Sequence, residues 1–471
     1  MTGIKHKALI IFVITVAVLL TTSSGFAEEL TFEEAVEVGL ENNLELVRAQ
    51  DNVKQLQREL KKIKTGSDWQ VDVAAESRVN NFTDQILNTN DGDSNSKELD
   101  MSISATRKYW SGLTLQPEIY FSDDDLEAGQ QEDAEFKFSV TQDLYPKKPI
   151  GAEQNYIQQE LELKKAQAEL ADEKNNKIIG WVEQYLNLLR VKHKYNLAQQ
   201  NYHLYQDELD EVLAQQKIGE AGASDLLQAK ANLKEAQYQL ENSRDDYQQS
   251  KKSLRNDLGL LSEQELKVSN NTNYLVAIRK IAASATDKLD KLEQLFSSAK
   301  ESNQQFLTAK LNYKSAKYNL DWEQLEDKAD VNLIGSYDSA EQKWQAGVSV
   351  AYNVFDSGKQ EYETENLKQE LDILQQEQLD IIKDIELKVE ELVNQVKAEQ
   401  TNLAAKKHLL EKAKLDKEIA KKQLAAGLID RLKFNKEKIA LEEAEINLKE
   451  AQDDLLISKL ELIDYLGGEL E

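Results

Sequence analysis

Residues 215–259 read QQKIGEAGASDLLQAKANLKEAQYQLENSRDDYQQSKKSLRNDLG, and residues 423–467 read QLAAGLIDRLKFNKEKIALEEAEINLKEAQDDLLISKLELIDYLG. Laid over one another at a shift of 208 residues, the two need no gap. Gln215 meets Gln423, Gly219 meets Gly427, and Leu233 meets Leu441. Glu235-Ala236, Asp245-Asp246 and Ser250-Lys251 meet Glu443-Ala444, Asp453-Asp454 and Ser458-Lys459. Leu254, Leu258 and Gly259 meet Leu462, Leu466 and Gly467. Heptad-rich helices match by chance, but two glycine pairs with the same separation do not follow from heptads. The chain is therefore a tandem repeat of one supersecondary unit.

Working outward, the front of each unit matches at a different shift, 260 residues. Glu41, Asn43, Ala49, Asn52, Lys54 and Leu60 meet Glu301, Asn303, Ala309, Asn312, Lys314 and Leu320. The shifts differ by 52, so the first unit carries about that many extra residues, placed roughly between 74 and 150.

Each unit reads as helix, strands, long helix, turn, long helix. Lys359 to Ala426 contains neither Pro nor Gly. Ile382, Val389, Val396, Leu403 and Leu410 recur every seven residues, with Ile385 and Leu392 offset by three. That is a coiled-coil seam. Val191, Ala198, Tyr205 and Val212 form its counterpart in the first unit. Helices of some 65 residues extend roughly 100 Å at ~1.5 Å per residue and must pack laterally to bury their stripes. Gly219, Gly222 and Gly427 fall where each long helix reverses, and Gly259 and Gly467 where each return helix ends, as suits helix C-termini.

The strand regions alternate with period two. Val331, Leu333, Gly335 and Tyr337 share a face, as do Trp344, Ala346, Val348, Val350, Tyr352 and Val354. In the first unit Trp69 to Ala75, Leu99 to Ala105, Leu113 to Phe121 and Phe136 to Leu144 alternate likewise. The extra residues add a hairpin, Glu98 to Ser122, turning near Trp110-Ser111-Gly112, which either enlarges a barrel built from the other strands or projects outside it. Such strands suit a lipid-facing barrel, with Tyr109, Trp110, Tyr120, Tyr145, Trp344 and Tyr352 as candidate interface aromatics. A soluble sheet with one buried face is the plainer alternative. In a bilayer an open sheet leaves unpaired backbone groups at its edges. Four to six strands are too few to close within one chain, so a barrel requires symmetric association.

Residues 1–27 read as a secretory signal peptide. Lys5 and Lys7 precede an apolar run from Ala8 to Leu20, and Gly25-Phe26-Ala27 offers a cleavage site after Ala27. An uncleaved anchor is the alternative. No later stretch is long and apolar enough to be a transmembrane helix. The formal charge is −27 over 471 residues, which disfavours nucleic acid as a partner. With no cysteine, disulfides, thiolate metal sites and an N-terminal lipidated Cys are excluded. His193 and His203 lie too far apart for one metal on one helix turn, and no nucleophile elbow or phosphate loop appears. Neither an enzymatic activity nor a cofactor is expected.

The chain divides into a signal peptide (1–27), a first repeat (28–260, strands about 69–145, helical hairpin about 151–259), a connector (261–285) and a second repeat (286–471, strands about 331–356, helical hairpin about 359–467). Leu30-Thr31-Phe32-Glu33-Glu34-Ala35 followed by Glu41-Asn42-Asn43-Leu44-Glu45-Leu46 resembles the N-terminal helix of the TolC-like outer-membrane efflux proteins. Gly219 followed by Ser224-Asp225-Leu226-Leu227-Gln228-Ala229 resembles their periplasmic turn, and Gly427-Leu428-Ile429-Asp430 its second copy. Val354-Phe355-Asp356-Ser357-Gly358 is similar to their strand-to-helix exit, with Leu144-Tyr145-Pro146 a looser equivalent. The resemblance spans nearly the whole mature chain. It implies a mainly α protein with β: long antiparallel coiled-coil hairpins forming a periplasmic α-barrel, and strands forming a shared membrane barrel of roughly 12 strands in a homotrimer. It also implies outer-membrane lipid, a periplasmic adaptor (membrane fusion) protein and an inner-membrane transporter as partners, in efflux of small molecules or type I secretion.

The family often places acidic residues six and nine positions after the second turn glycine, at the channel entrance. Here those positions hold Lys433 and Lys436, while the first copy keeps Asp225 at the six position. Asp430 is the candidate substitute, so Asp430, Lys433 and Lys436 form the expected entrance gate; solvated charges at a coiled-coil tip are the alternative. A secreted structural coiled-coil or surface protein is the competing function. It accounts for signal and heptads but not for strand insertions at corresponding repeat positions.

Overall fold

The computed structural model describes residues 28–82, 94–123, 134–260, 264–269, 273–284, 289 and 291–468. The signal segment, and residues 261–263, 270–272 and 285 of the connector, lie outside the described residues. The first unit runs β1 (Glu28–Leu30), α1 (Phe32–Asn42), α2 (Leu44–Thr65), β2 (Gln70–Phe82), β3 (Ser94–Lys108), β4 (Leu113–Asp123), β5 (Glu135–Tyr145), α3 (Gly151–Lys217) and α4 (Ala223–Asp257). After β6 (Gln264–Leu266) and α5 (Asn273–Ser284) the second unit runs α6 (Leu292–Ser302), α7 (Gln304–Glu326), β7 (Asp330–Asp338), β8 (Lys343–Ala351), α8 (Lys359–Ala425) and α9 (Arg431–Tyr465).

Duplication is visible in the lengths. Both long helices have 67 residues and both return helices 35. Gly219 and Gly427 adopt φ of +82° and +71°, and Gly259 and Gly467 +66° and +80°, the left-handed conformation that ends a helix without a Cβ clash. The leading helix of each unit is not continuous: it breaks at Asn43 and at Asn303. Both asparagines leave the helical region, and their side chains accept backbone N–H groups of the next turn, from Glu45 and Leu46 and from Phe306. An asparagine N-cap satisfies orphan amides that would otherwise favour continuing the helix.

Long α3 and α8 each pair with their own return helix near the tip and with α2 or α7 toward the sheet. α3 also packs against α9 and α7, which places it inside a single layer. That layer has α2 and α4 at one edge and α8 at the other. Apolar side chains on α8 remain outside any intrachain seam, among them Ile373, Leu387, Leu415 and Ile419.

The densest core lies between tip and sheet. Trp181 and Tyr185 of α3 are fully buried there with Phe32, Leu46, Leu258, Leu275, Ile278 and Leu460. Phe32 stacks on Tyr185 with ring centroids 4.0 Å apart. The Tyr185 hydroxyl donates to the Ser269 carbonyl (2.8 Å) and accepts the Ser269 N–H (2.9 Å), so the buried phenol is satisfied while it clamps the connector. β1 and β6 pair in parallel beside it, tying the segment before α1 to the connector. A second core joins α6 to α8 through Leu295, Ala299, Ile385, Val389, Leu392, Val393 and Val396.

Six strands form one antiparallel sheet in the order β2-β3-β4-β5-β7-β8. This is more than the four per chain that a trimer with roughly 12 strands contains. The hairpin added in the first unit is β3–β4, turning at Tyr109–Gly112, and it lies inside the sheet.

Two outcomes follow from the packing. Trp181→Ala should cost about 3–5 kcal/mol by cavity formation, read as a lowered midpoint in denaturant unfolding. Burial pushes the Asp464 carboxyl up to about 6, aided by nearby Asp172 and opposed by the Asn175 amide donating to it. The folded state then binds this proton more tightly than the unfolded chain. Its contribution is therefore present in acid and is lost as pH rises from the ordinary value of 3.8 through about 6. Asp464→Asn keeps the acceptor without the charge. It should raise the thermal midpoint at pH 8 and leave it nearly unchanged at pH 4.

Candidate functional site

Strand register sorts the sheet into two faces, because directly opposed residues point the same way. Val71, Val73 and Ala75 oppose Ala105, Ile103 and Met101. Ile103 and Met101 oppose Ile119 and Phe121. Ile119, Pro117 and Leu115 then oppose Phe136, Phe138 and Val140. Phe138 and Val140 continue to Tyr337 and Gly335, and these to Trp344 and Ala346, beside the pairs Leu333–Val348 and Val331–Val350. One largely apolar face thus runs across six strands, interrupted at the helix-side end by Arg107 opposite Leu115 and by Gln142 between Leu113 and Leu333. No helix layer covers it: Val73, Val350 and Trp344 are 68%, 65% and 76% exposed.

The other face is mainly polar, with Ile334 and Ala74 among its apolar exceptions. Asp72, Ser102, Ser104, Asp100, Glu118, Gln116, Ser139, Lys137, Ser336, Asp338, Gln345 and Ser349 occupy it by the same register. The Tyr120 hydroxyl donates to Asp100 (2.6 Å), and the Lys137 ammonium lies over the Tyr120 ring and 3.8 Å from both Glu135 and Asp338. A polar network therefore links β3, β4, β5 and β7 laterally.

The expected interface aromatics separate into three groups. Trp344 lies on the apolar face at the end far from the helices. Tyr352 follows the helix-side end of β8 on the same alternation, and Tyr145 pairs with Val331 at that end. Trp344 and Tyr352 are about 26 Å apart along the strand at ~3.3 Å per residue, of the order of the ~25 Å apolar band of membrane barrels. Tyr120 lies on the opposite, polar face. Trp110 and Tyr109 lie on neither, at the β3–β4 turn. The Trp110 indole N–H donates to the Ser67 hydroxyl (2.7 Å) and its ring packs on Tyr156 of α3; Tyr109 lies under the Arg107 guanidinium. Phe121, Phe136, Phe138 and Tyr337 gather with Trp344 toward the far end, a row that only the cross-strand register reveals.

At the opposite pole are the two helical turns. The Asp225 carboxylate accepts the Gly222 N–H (2.8 Å), fastening the start of α4, and Ser224 beside it is exposed. Asp430 is the N-cap of α9, accepting the Lys433 N–H at 2.6 Å. Lys436 turns away from both. It reaches across to α3, 3.9 Å from Glu208 and over the Tyr205 ring, so it joins the two hairpins. Asp430 and Lys433 are thus brought together by the cap, and Lys436 is not part of that pair. Among the described residues no group of three His, Cys, Asp or Glu side chains is placed to hold a metal ion, and no helix is long and apolar enough to cross a membrane.

A two-faced sheet at one pole and two antiparallel coiled-coil hairpins at the other define the fold of TolC-like outer-membrane channel subunits. Residues 295–468 match the outer membrane efflux protein family in sequence. Among solved structures the chain is similar to the channel CusC, at 11% identity with 96% of each chain covered and a TM-score of 0.64. It is similar to the outer membrane protein VceC of Vibrio cholerae, at 14% identity with 93% of this chain and 97% of that one covered and a TM-score of 0.61. The open state of the Neisseria gonorrhoeae channel MtrE matches at 13% identity, over 96% and 94% of the two chains, with a TM-score of 0.62. A comparison with curated protein sequences gives no match. The resemblance to the TolC-like outer-membrane efflux family therefore stands, in sequence over the second unit and in fold over nearly the whole chain.

The cap and the charge of Asp430 are separable. Asp430→Ala should cost about 0.5–2 kcal/mol of local stability, read as faster amide exchange in the first turn of α9. Asp430→Asn should leave that exchange unchanged while removing the charge.

Proposed function

We propose that the chain is one protomer of a homotrimeric outer-membrane channel, working with a periplasmic adaptor and an inner-membrane transporter in efflux of small molecules or in type I secretion. The observation that carries this reading is the six-stranded sheet: largely apolar on one face, largely polar on the other, and open at both edges among the described residues. In water such a face is an aggregation hazard. In a bilayer it is the outer wall of a barrel, and the polar face then lines an aqueous lumen.

The edges of the molecule agree. β2 and β8 end the sheet, and α2 with α4 and α8 end the helical layer. β2 follows α2 and β8 leads into α8, so sheet and helices open at the same two sides. One rotation of a second copy meets both needs, and a heterologous contact repeated around an axis closes into a ring. In this reading residues 1–27 direct export and are cleaved after Ala27, and the hairpins reach through the periplasm. Gly219, Gly222, Ser224, Asp225, Gly427 and Asp430 form the turns at the far tip, where Asp430 and Lys433 set the charge of the entrance and Lys436, engaged with Glu208, ties the two hairpins together. The protein carries solutes and is not an enzyme.

Membranes from a diderm host expressing the full chain provide the test. The protein should fractionate with outer membrane, resist extraction by high salt, and give uniform conductance steps in planar bilayers once purified. Recovery from the medium or a salt wash, with no conductance under any condition, would leave the structural coiled-coil alternative standing instead.

A further inference from the structure

We propose that three copies close into an 18-stranded barrel, with the β3–β4 hairpin forming part of its wall, so that the membrane pore is wider than that of a barrel of roughly 12 strands. The proposal rests on the channel reading above and adds the architecture and bore of the membrane portion.

The hairpin is inside the sheet and is not an appendage of it. Every residue of β2 from Gln70 to Phe82 pairs with β3, and β4 pairs with β3 on one side and β5 on the other. Its alternation continues the faces of its neighbours: Ile103 and Ile119 join the apolar side, Ser102 and Ser104 the polar side. A hairpin projecting into water would have no reason to carry that pattern in register with the wall.

Its turn is also fastened. Trp110 is held by Ser67 and Tyr156, and Arg107 lies 3.5 Å from Asp68. The Gln142 amide donates to the Ser111 carbonyl (2.8 Å), and the Asp143 N–H donates to the Gly112 carbonyl (3.1 Å). Gly112 has φ +80°, and a Cβ there would fall 2.9 Å from that of Asp143. These contacts tie the turn to the α2–β2 connection, α3 and β5 at once.

Closure is permitted by direction. Five successive antiparallel pairings make β2 and β8 run oppositely, so β8 of one copy extends the antiparallel ladder onto β2 of the next. Girth agrees as well. Four helices per chain make up the helical layer both toward the tip (α3, α4, α8, α9) and toward the sheet (α2, α3, α7, α8), and twelve at ~9–10 Å spacing give a circumference of ~110–120 Å. Eighteen strands at ~4.8 Å, tilted ~40°, give ~113 Å, whereas twelve give ~75 Å. The wider barrel continues the tube without a neck, and at equal tilt its cross-section is about twice the smaller one's.

Imaging of the purified oligomer in lipid nanodiscs should show six strands per subunit around a continuous wall. In parallel, the cysteine-free sequence allows single thiols to report orientation in the reconstituted channel. Ser102→Cys and Ser104→Cys should react with a charged methanethiosulfonate added in water, and Ile103→Cys should not. Four strands per subunit with the hairpin outside the wall, or aqueous labelling at all three positions, would overturn the proposal while the channel still conducts. A chain that forms no membrane-embedded oligomer would overturn the channel reading and this proposal together.

Discussion

Along β2 and β8 the outward backbone N–H and C=O groups have no partner strand among the described residues. In a hydrocarbon environment each such group costs several kcal/mol, and no side chain or water is available to replace the missing ladder. That single constraint organises the molecule. It requires neighbours on both sides of the sheet, and the helices leaving the sheet inherit the same two open sides. Largely exposed apolar residues on α8, such as Ile373 and Leu415, are the helical form of the same incompleteness.

The middle of the chain behaves differently. Around Trp181, Tyr185 and Phe32 the protein buries its own aromatics, satisfies the Tyr185 hydroxyl through Ser269, and closes a parallel β1–β6 pair. Here the two units are joined by contacts needing no second copy. Gly39 marks how close the approach is, since a Cβ at that position would fall 2.8 Å from the Trp181 ring. A self-sufficient waist thus carries two unfinished ends, one polar and coiled, the other a two-faced sheet.

Much of this was legible in the amino-acid order. The two repeat shifts located the turn glycines, the helix lengths and the site of the added hairpin, because helix ends and heptads are local signals. Period-two alternation assigned each strand's faces. It could not assign neighbours, since pairing is set by register between segments far apart in the chain. For that reason the row of Phe121, Phe136, Phe138, Tyr337 and Trp344 was not visible, and Tyr120 was grouped with aromatics from which the register separates it. Trp110 misled for another reason: an aromatic at a hairpin turn can anchor to a helix as well as to an interface, and only the Ser67 and Tyr156 contacts decide between them. The breaks at Asn43 and Asn303 carried a local signal, an N-cap residue type, that the continuous helical pattern obscured.

The matched 67- and 35-residue helices have a further consequence for how such a molecule changes over time. Lengthening one hairpin alone would carry its turn past that of the other and throw its seams out of phase with those alongside. Growth or shrinkage must then come in heptad multiples, in both arms of both hairpins. Reach is accordingly a quantised trait of the duplicated unit, and the pairing of its halves resists drift in either one.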